Sequence, residues 1–153
     1  MTDSRQLTSA LKHNTSTRRY FLGCFPSDKI RESSIYPYCM IINTDDSSLP
    51  GTHWVAVNVL SRARIEYFDS LGEWPPVANI YRFLSRFEKI SYISEGLQSP
   101  YSGCCGKYAV YFLLRRLRDS INFEDIVGHL RKCKTTPDRL VSAFVNRNFK
   151  EVF

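Results

Sequence analysis

Residues 108–114 form an uninterrupted apolar run, and this run constrains the fold more than any other feature of the 153-residue chain. Ser, Pro and Gly punctuate the sequence up to Gly103, so the pattern predicts a turn that leads into a helix. A helix that has no polar face until Arg115 must be buried on most sides. We therefore expect this helix at the centre of the core, with the other elements packed around it.

Cys105 lies at the predicted first turn of this helix. Unpaired backbone N–H groups and the positive end of the helix dipole favour an anion there, so the thiol is expected to ionise readily. Gly106 follows and carries no Cβ, which predicts close approach of a substrate carbonyl to the backbone. The alternative interpretation is a buried structural cysteine, because free Cys is among the most buried residue types.

The composition limits the class of protein. A content of 43% hydrophobic and 14% aromatic residues is typical of a globular chain, and this length predicts one domain with a real core. Five cysteines without a CxxC pattern predict neither a disulfide framework nor a zinc ribbon, and favour a reducing compartment. The longest apolar run has seven residues and no leader pattern is visible, so we expect a soluble protein that is not secreted and has no membrane contact.

A predicted β-hairpin brings a histidine and a carboxylate together. Residues 52–60 alternate in hydrophobicity, and residues 64–69 resume a strand pattern after a tight connection. Antiparallel pairing around that turn places His53 near Asp69 at one end of the sheet. A carboxylate next to an imidazole orients the ring and stabilises its protonated form, as a general base requires. The alternative is a surface histidine and an aspartate that opens the turn at 70–72.

The other segments predict further elements of a mixed fold. Gln98 lies seven residues before Cys105, and its amide N–H and the Cys105 backbone N–H are suitable donors for an oxyanion. The patterns predict helices at 3–11, 76–87, 123–132 and from 136 onward, strands at 38–43 and 89–93, and a buried aromatic segment leading to a turn at 20–26.

Positive charge is concentrated in the last third of the chain. Residues 105–153 hold 10 Lys/Arg against 5 Asp/Glu, which accounts for +5 of the net charge of +6. This distribution predicts a DNA-binding surface, and the alternative is a set of solvated helix faces. The candidate DNA-binding residues are Arg115, Arg116, Arg118, Arg131, Lys132 and Lys134.

The order His53, Asp69, Gln98, Cys105 is far more specific than any of its members. At these residues the sequence resembles the adenain family of adenovirus maturation proteases, and more broadly the clan that includes the SUMO-specific proteases. The matching segments are residues 20–23, 42–44, 51–54, 67–69 with Gly72, and 98–106.

The resemblance implies a role for each matched residue. Cys105 is the expected nucleophile, His53 its base and Asp69 the partner of the imidazole. Gln98 and the Cys105 backbone N–H form the expected oxyanion hole, and Trp54 shields the site. The implied fold is α+β and papain-like, with a central mixed or antiparallel sheet packed against the nucleophile helix in a single domain, residues 1–153. The implied function is a viral maturation cysteine endopeptidase that cleaves capsid or core precursors at Gly-containing sites.

The resemblance also implies partners. It implies viral structural precursors as substrates, and we expect no metal or organic cofactor and a monomer in the virion and in the host nucleus or cytoplasm. The charge distribution predicts non-specific DNA as an activator. We also expect either basal activity without a peptide or activation by a noncovalent peptide. Segment 72–97 lacks the cysteine to which the activating peptide of adenain becomes disulfide-linked. A covalent peptide link is therefore not expected.

Two other functions remain open at this stage. A SUMO-type or ubiquitin-like-protein isopeptidase would use the same four residues, and segment 68–72 suits that branch as well. A basic DNA-packaging protein would explain the charge, but it would give no reason for His, Asp, Gln and Cys in this order.

Overall fold

A computed structural model describes residues 2–75 and 77–153. This part of the chain contains five α-helices and five strands. None of these helices combines the length and the apolar character needed to cross a membrane. Their bounds in chain order are α1 Ser4–His13, β1 Phe21–Pro26, β2 Tyr38–Asn43, β3 Trp54–Ser61, β4 Arg64–Phe68, α2 Ala78–Leu84, β5 Lys89–Ser91, α3 Cys105–Leu117, α4 Phe123–Arg131 and α5 Pro137–Asn148.

The strands form one mixed sheet whose spatial order follows the chain from β1 to β5. The two outer pairs, β1–β2 and β4–β5, are parallel, whereas β2–β3 and β3–β4 are antiparallel. The predicted α+β class with a central mixed sheet is thus confirmed. The β3–β4 pair is the predicted hairpin, with Ala56 opposite Phe68, and it leaves positions 53 and 69 at the same end of the sheet.

The sheet is buried on both faces because its strands alternate apolar side chains between two cores. One face packs against α1, α3, α4 and α5 and includes Cys39, Ile41 and Ala56. The other face packs against α2 and includes Met40, Ile42 and Val57. Helix α3 is buried along residues 108–114, as its unbroken apolar pattern predicts. This central helix begins at Cys105 and therefore carries the cysteine to the end of the core.

Local capping explains where several helices begin. The Asn122 side chain accepts a hydrogen bond from the Asp125 N–H, and the Thr136 side chain accepts one from the Arg139 N–H, so α4 and α5 start where the sequence predicts. The prediction for segment 20–26 is incomplete, because this segment is strand β1. Its hydrogen-bond partner is β2, more than a dozen residues away, and local pattern does not reveal such pairing. The predicted helix at 76–87 is the shorter α2, and Pro76 lies outside the described residues.

Candidate active site

The β3–β4 hairpin holds His53 against Asp69. His53 directly precedes β3 and Asp69 directly follows β4. The imidazole Nε2–H donates to Asp69 Oδ1 at 2.7 Å, and the Asp69 side chain is only 2% exposed. The same carboxylate oxygen accepts the backbone N–H of Leu71 at 2.9 Å, which fixes its direction. The ring orientation is therefore set by a buried carboxylate, and Nδ1 is left free for another partner.

That partner is Cys105, the first residue of α3. Burial opposes the charged form of the thiol, but a hydrogen bond from His53 and backbone N–H groups of Trp54 and Gly106 outweigh it and lower the pKa of Cys105. Burial also opposes the charged imidazole, but hydrogen bonds with Asp69 and Cys105 raise the pKa of His53 to about 9. Opposite shifts in two adjacent groups favour the thiolate–imidazolium pair over the neutral thiol and imidazole.

Gln98 lies in a loop that is tied to both halves of the site. Its side-chain Oε1 accepts the Ser70 hydroxyl at 2.6 Å, and its backbone N–H donates to the Ser70 carbonyl at 2.9 Å. Ser70 adjoins Asp69, and on the other side the Tyr108 hydroxyl of α3 lies 3.3 Å from the Leu97 carbonyl. With Oε1 occupied by Ser70, the Gln98 amide N–H₂ is the part of the side chain left to donate to a reactant.

Gly72 explains why the two loops approach so closely. Its φ is +68°, a conformation that other residues rarely adopt, and a Cβ there would lie 2.3 Å from the Glu95 carbonyl carbon and 2.5 Å from the Gly96 nitrogen. Only a residue without a side chain allows this contact. The turn after Asp69 and the loop before Gln98 are thereby held in one fixed arrangement.

Trp54 is half-buried and starts β3 beside His53. Its indole Nε1–H donates to the carbonyl of Thr2 at 3.2 Å. On the side where a Cβ would lie, the space beside Gly106 is occupied by the protein itself. A Cβ at Gly106 would lie 2.9 Å from Thr2 Cβ and 3.2 Å from Leu7 Cδ2, so the missing side chain accommodates the protein's own N-terminal segment.

Cys104 differs from its neighbour in all its contacts. Its thiol lies 3.6 Å from the Ser102 carbonyl and 3.7 Å from the Ser142 hydroxyl. These contacts direct it toward α5, whereas Cys105 faces His53. The two adjacent cysteines thus have separate environments.

Three contributors to the site are absent from the sequence prediction. Ser70 orients the Gln98 amide, and Thr2 contacts both Trp54 and Gly106. Asp138 of α5 accepts the Tyr108 hydroxyl at 2.7 Å and the Ser99 N–H at 3.3 Å, which anchors the segment after Gln98. Ser70 follows Asp69 directly and was open to inference, but no sequence signal marks the other two.

The predicted DNA-binding residues do not form one free surface. Arg116 makes a two-pronged ion pair with buried Glu66 at 2.8 and 3.0 Å, so its inclusion in that surface is wrong. Arg115 and Arg118 both pair with Asp119, and Arg131 pairs with Glu95. Of these six candidates, Lys132 and Lys134 are exposed and make no ion pair with a carboxylate among the described residues.

No model of a known protein family matches the chain. A cysteine protease of African swine fever virus is 31% identical over 101 residues, which cover 58% of this chain and 36% of the relative. A putative thiol protease of Acanthamoeba polyphaga mimivirus is 28% identical over 118 residues, which cover 67% of this chain and 37% of the relative. The chain therefore spans about a third of the length of the curated relatives it matches.

Solved structures identify the fold. The crystal structure of the African swine fever virus protease has a TM-score of 0.52 at 23% identity, covering 82% of this chain and 47% of that one. ChlaDub1 of Chlamydia trachomatis has a TM-score of 0.53 at 19% identity, covering 76% and 60%. The fold is that of the SUMO-protease-like cysteine proteases. The central domain of an uncharacterized Legionella pneumophila protein has a TM-score of 0.58 at 13% identity, covering 100% and 98%.

The relatives support a similarity to one clan of cysteine proteases. Both curated relatives are named as viral cysteine or thiol proteases, and this cysteine protease fold is shared with ChlaDub1. These similarities support the clan of adenain and the SUMO-specific proteases, but they do not single out adenain.

Proposed function

We propose that this chain is a viral maturation cysteine endopeptidase, with Cys105 as nucleophile, His53 as general base and acid, and Asp69 as the group that orients His53. The observation that carries the proposal is the position of the imidazole, which bonds to Asp69 through Nε2 and to Cys105 through its other side. The viral proteases with related sequences support the same activity.

Acylation follows from the charges already in place. The Cys105 thiolate attacks the peptide carbonyl carbon, and the carbonyl oxygen becomes an oxyanion that accepts hydrogen bonds from the Gln98 amide and the Cys105 backbone N–H. The imidazolium of His53 then gives its proton to the leaving amine. The C–N bond breaks, the amine product departs, and the acyl group remains on sulfur as a thioester.

Deacylation uses the same groups in reverse. Neutral His53 takes a proton from water, and the resulting hydroxide equivalent attacks the thioester carbonyl. The same donors hold the second oxyanion until the C–S bond breaks. The acid product leaves, and the thiolate and the imidazolium are restored.

Small residues next to the scissile bond suit the shape of the site. Cys105 is only 3% exposed and adjoins half-buried Trp54. A peptide backbone has to come within bonding distance of this sulfur, and a glycine removes the side chain that would obstruct it. We therefore propose Gly-containing sites in viral capsid or core precursors as substrates.

A ubiquitin-like-protein isopeptidase is the second candidate, because the fold is shared with ChlaDub1 and the catalytic groups are the same. The experiment compares kcat/KM for a Gly-containing peptide library with kcat/KM for ubiquitin-like and SUMO-like fusions. The endopeptidase proposal expects cleavage of extended peptides without a folded domain. Much faster cleavage of a ubiquitin-like fusion than of any peptide copy of its tail would replace it with the isopeptidase.

DNA and a noncovalent peptide are proposed as activators of a monomer that acts in the virion and in the host nucleus or cytoplasm. Exposed Lys132 and Lys134 supply charge, and phosphate neutralisation releases counterions whatever the DNA sequence. The rate of cleavage of a DNA-bound precursor is expected to fall steeply with salt. Lys132→Glu/Lys134→Glu is expected to reduce this rate about fivefold. Arg62→Glu/Arg64→Glu is the matched control, because it changes the net charge by the same amount at the β3–β4 turn. A rate indifferent to DNA, salt and the double reversal would remove DNA from the proposal.

A further inference from the structure

Thr2 is a buried residue that contacts two neighbours of the reacting groups. It is 8% exposed, and its carbonyl oxygen accepts the Trp54 indole N–H at 3.2 Å. Its side chain fills the space beside Gly106, where an added Cβ would lie 2.9 Å from Thr2 Cβ and 3.2 Å from Thr2 Cγ2. One residue thus contacts the residue after His53 and the residue after Cys105.

The position of Thr2 is fixed by the helix that follows it. Asp3 and Gln6 form a reciprocal cap on α1, with the Gln6 N–H to Asp3 Oδ1 at 2.9 Å and the Asp3 N–H to Gln6 Oε1 at 3.0 Å. Leu7 and Leu11 then anchor α1 in the core with no exposure. Thr2 is therefore presented to the active site by a packed element.

Trp54 and Gly106 share a second property. The backbone N–H groups of both residues contribute to the lowered pKa of the Cys105 thiol. Donors of this kind act only when their direction is fixed, because a small rotation of the peptide lengthens the hydrogen bond. The two residues that Thr2 contacts are thus the two whose backbone N–H groups favour the charged form of Cys105.

We propose that Thr2 is a positioning residue of the active site, which keeps the Trp54 and Gly106 backbone N–H groups directed at Cys105 by bonding to one side chain and filling the space beside the other. The inference rests on the proposed role of Cys105 as nucleophile. Loss of the Thr2 contacts lowers the fraction of Cys105 that is ionised and slows cleavage of the peptide bond, whereas peptide binding is retained.

The test is a double-mutant cycle in a Cys104→Ala background, so that one thiol at the helix start is followed. The variants are Thr2→Gly, Gly106→Ala and their combination, with Arg5→Ala as the control, since Arg5 is on the same helix but 91% exposed at its side chain. Each protein is assayed for the pH midpoint of iodoacetamide alkylation at Cys105, for kcat and KM on the best peptide, and for the melting temperature.

Thr2→Gly is expected to raise the alkylation midpoint and to lower kcat about fivefold with KM unchanged, and Arg5→Ala to match the parent. Gly106→Ala is expected to lower kcat by a larger factor, because the added Cβ collides with Thr2. In the Thr2→Gly background the loss caused by Gly106→Ala is expected to be about fivefold smaller, since the obstructing side chain is gone.

An alkylation midpoint and a kcat that stay at parental values in Thr2→Gly overturn the inference, even if the melting temperature falls. Losses that simply multiply in the combined variant overturn it as well. If Gly106→Ala does not fold, Trp54→Phe replaces it in the cycle, because the smaller phenyl ring keeps an aromatic side chain and removes the N–H donor. Alkylation needs no substrate, so it separates the two proposals. If the protein cleaves no peptide, the proposed function is refuted. If Thr2→Gly still shifts the pH midpoint of Cys105 alkylation in that protein, the positioning role remains.

Discussion

Strand β4 and the residue after it present two buried carboxylates with different consequences. Glu66 is 3% exposed in the middle of the strand, and Asp69 is 2% exposed just beyond its end. Each pairs with a base from elsewhere in the chain, Glu66 with Arg116 and Asp69 with His53. Burial and charge pairing are therefore common to both, and neither property distinguishes the proposed catalytic pair from the other.

The two pairs differ in the basic side chain that contacts the carboxylate. Arg116 occupies both oxygens of Glu66, Asn58 donates to one of them at 2.9 Å, and guanidinium groups do not release their proton in proteins. His53 makes one bond to Asp69, can change its charge, and keeps a second nitrogen for Cys105. The first pair is closed and fixes the contact between α3 and the sheet. The second is open on one side, and the proposed chemistry depends on that opening.

Loss of the group that the open pair serves is expected to have the largest effect. Cys105→Ser should lower kcat/KM by at least about 10⁴-fold, because a hydroxyl is not ionised by His53 as the thiol is. The melting temperature should hardly change, since the replacement is small. Cys104→Ala is the matched control and should retain most activity. Peptide cleavage and circular dichroism check both, and an inactive Cys104→Ala with an active Cys105→Ser would reverse the assignment of the nucleophile.

Asp69→Asn is expected to have the next largest effect, about a 10³-fold loss of kcat, because the imidazole loses the partner that sets its tautomer and supports its charge. The matched change in the closed pair is Glu66→Gln, which should leave the kcat of folded protein near the parental value. Single-turnover kinetics at a temperature where both variants are folded make the comparison. Equal losses in the two variants would mean that the two pairs do not differ in function.

The stability of the two variants should follow the opposite order. Glu66→Gln leaves the buried Arg116 charge without its carboxylate and is expected to lower the free energy of unfolding by about 3 kcal/mol. In Asp69→Asn the imidazole of His53 can become neutral, so no buried charge is left unpaired. The free energy of unfolding should therefore fall by less than in Glu66→Gln. Urea unfolding measures both. The double variant Glu66→Leu/Arg116→Met should recover most of the loss, and a double variant as unstable as Glu66→Gln would show that the charge is not the cause.

The pH profile gives the smallest and most specific difference. The raised pKa of His53, about 9, keeps the imidazolium up to that pH, and the lowered pKa of Cys105 keeps the thiolate at lower pH than an ordinary thiol. Activity should therefore fall on the acid side as sulfur gains a proton, and on the alkaline side near about 9 as His53 loses one. Asp69→Asn should move the alkaline limb to lower pH and narrow the window. Glu66→Gln should leave both limbs unchanged, and a narrowed window there would contradict the comparison.

The sequence predicts local features of the site and misses the contacts that assemble it. The apolar run predicts a buried helix, the turn before it predicts the place of Cys105, and the hairpin predicts that positions 53 and 69 meet. These inferences succeed because helix and strand periodicity are local properties. The roles of the four residues in catalysis stay predictions.

What the sequence does not predict depends on partners distant along the chain. The pairing of Arg116 with Glu66 spans 50 residues, and that of Tyr108 with Asp138 spans 30. A count of positive residues therefore overestimates the charge that is free for DNA. The contact of Thr2 with Trp54, 52 residues away, is hidden for the same reason, since a single threonine has no distinctive pattern.

The β3–β4 hairpin also offers an attachment point that is remote from the candidate active site. Its closing turn at 61–63 lies at the opposite end of β3 from His53, and eight residues of extended strand span roughly 25 Å. Arg62 in this turn is exposed, so a fluorophore, an affinity peptide or a surface linker inserted there is remote from the thiol. The protein can then be immobilised or followed at the single-molecule level through a loop that lies away from Cys105.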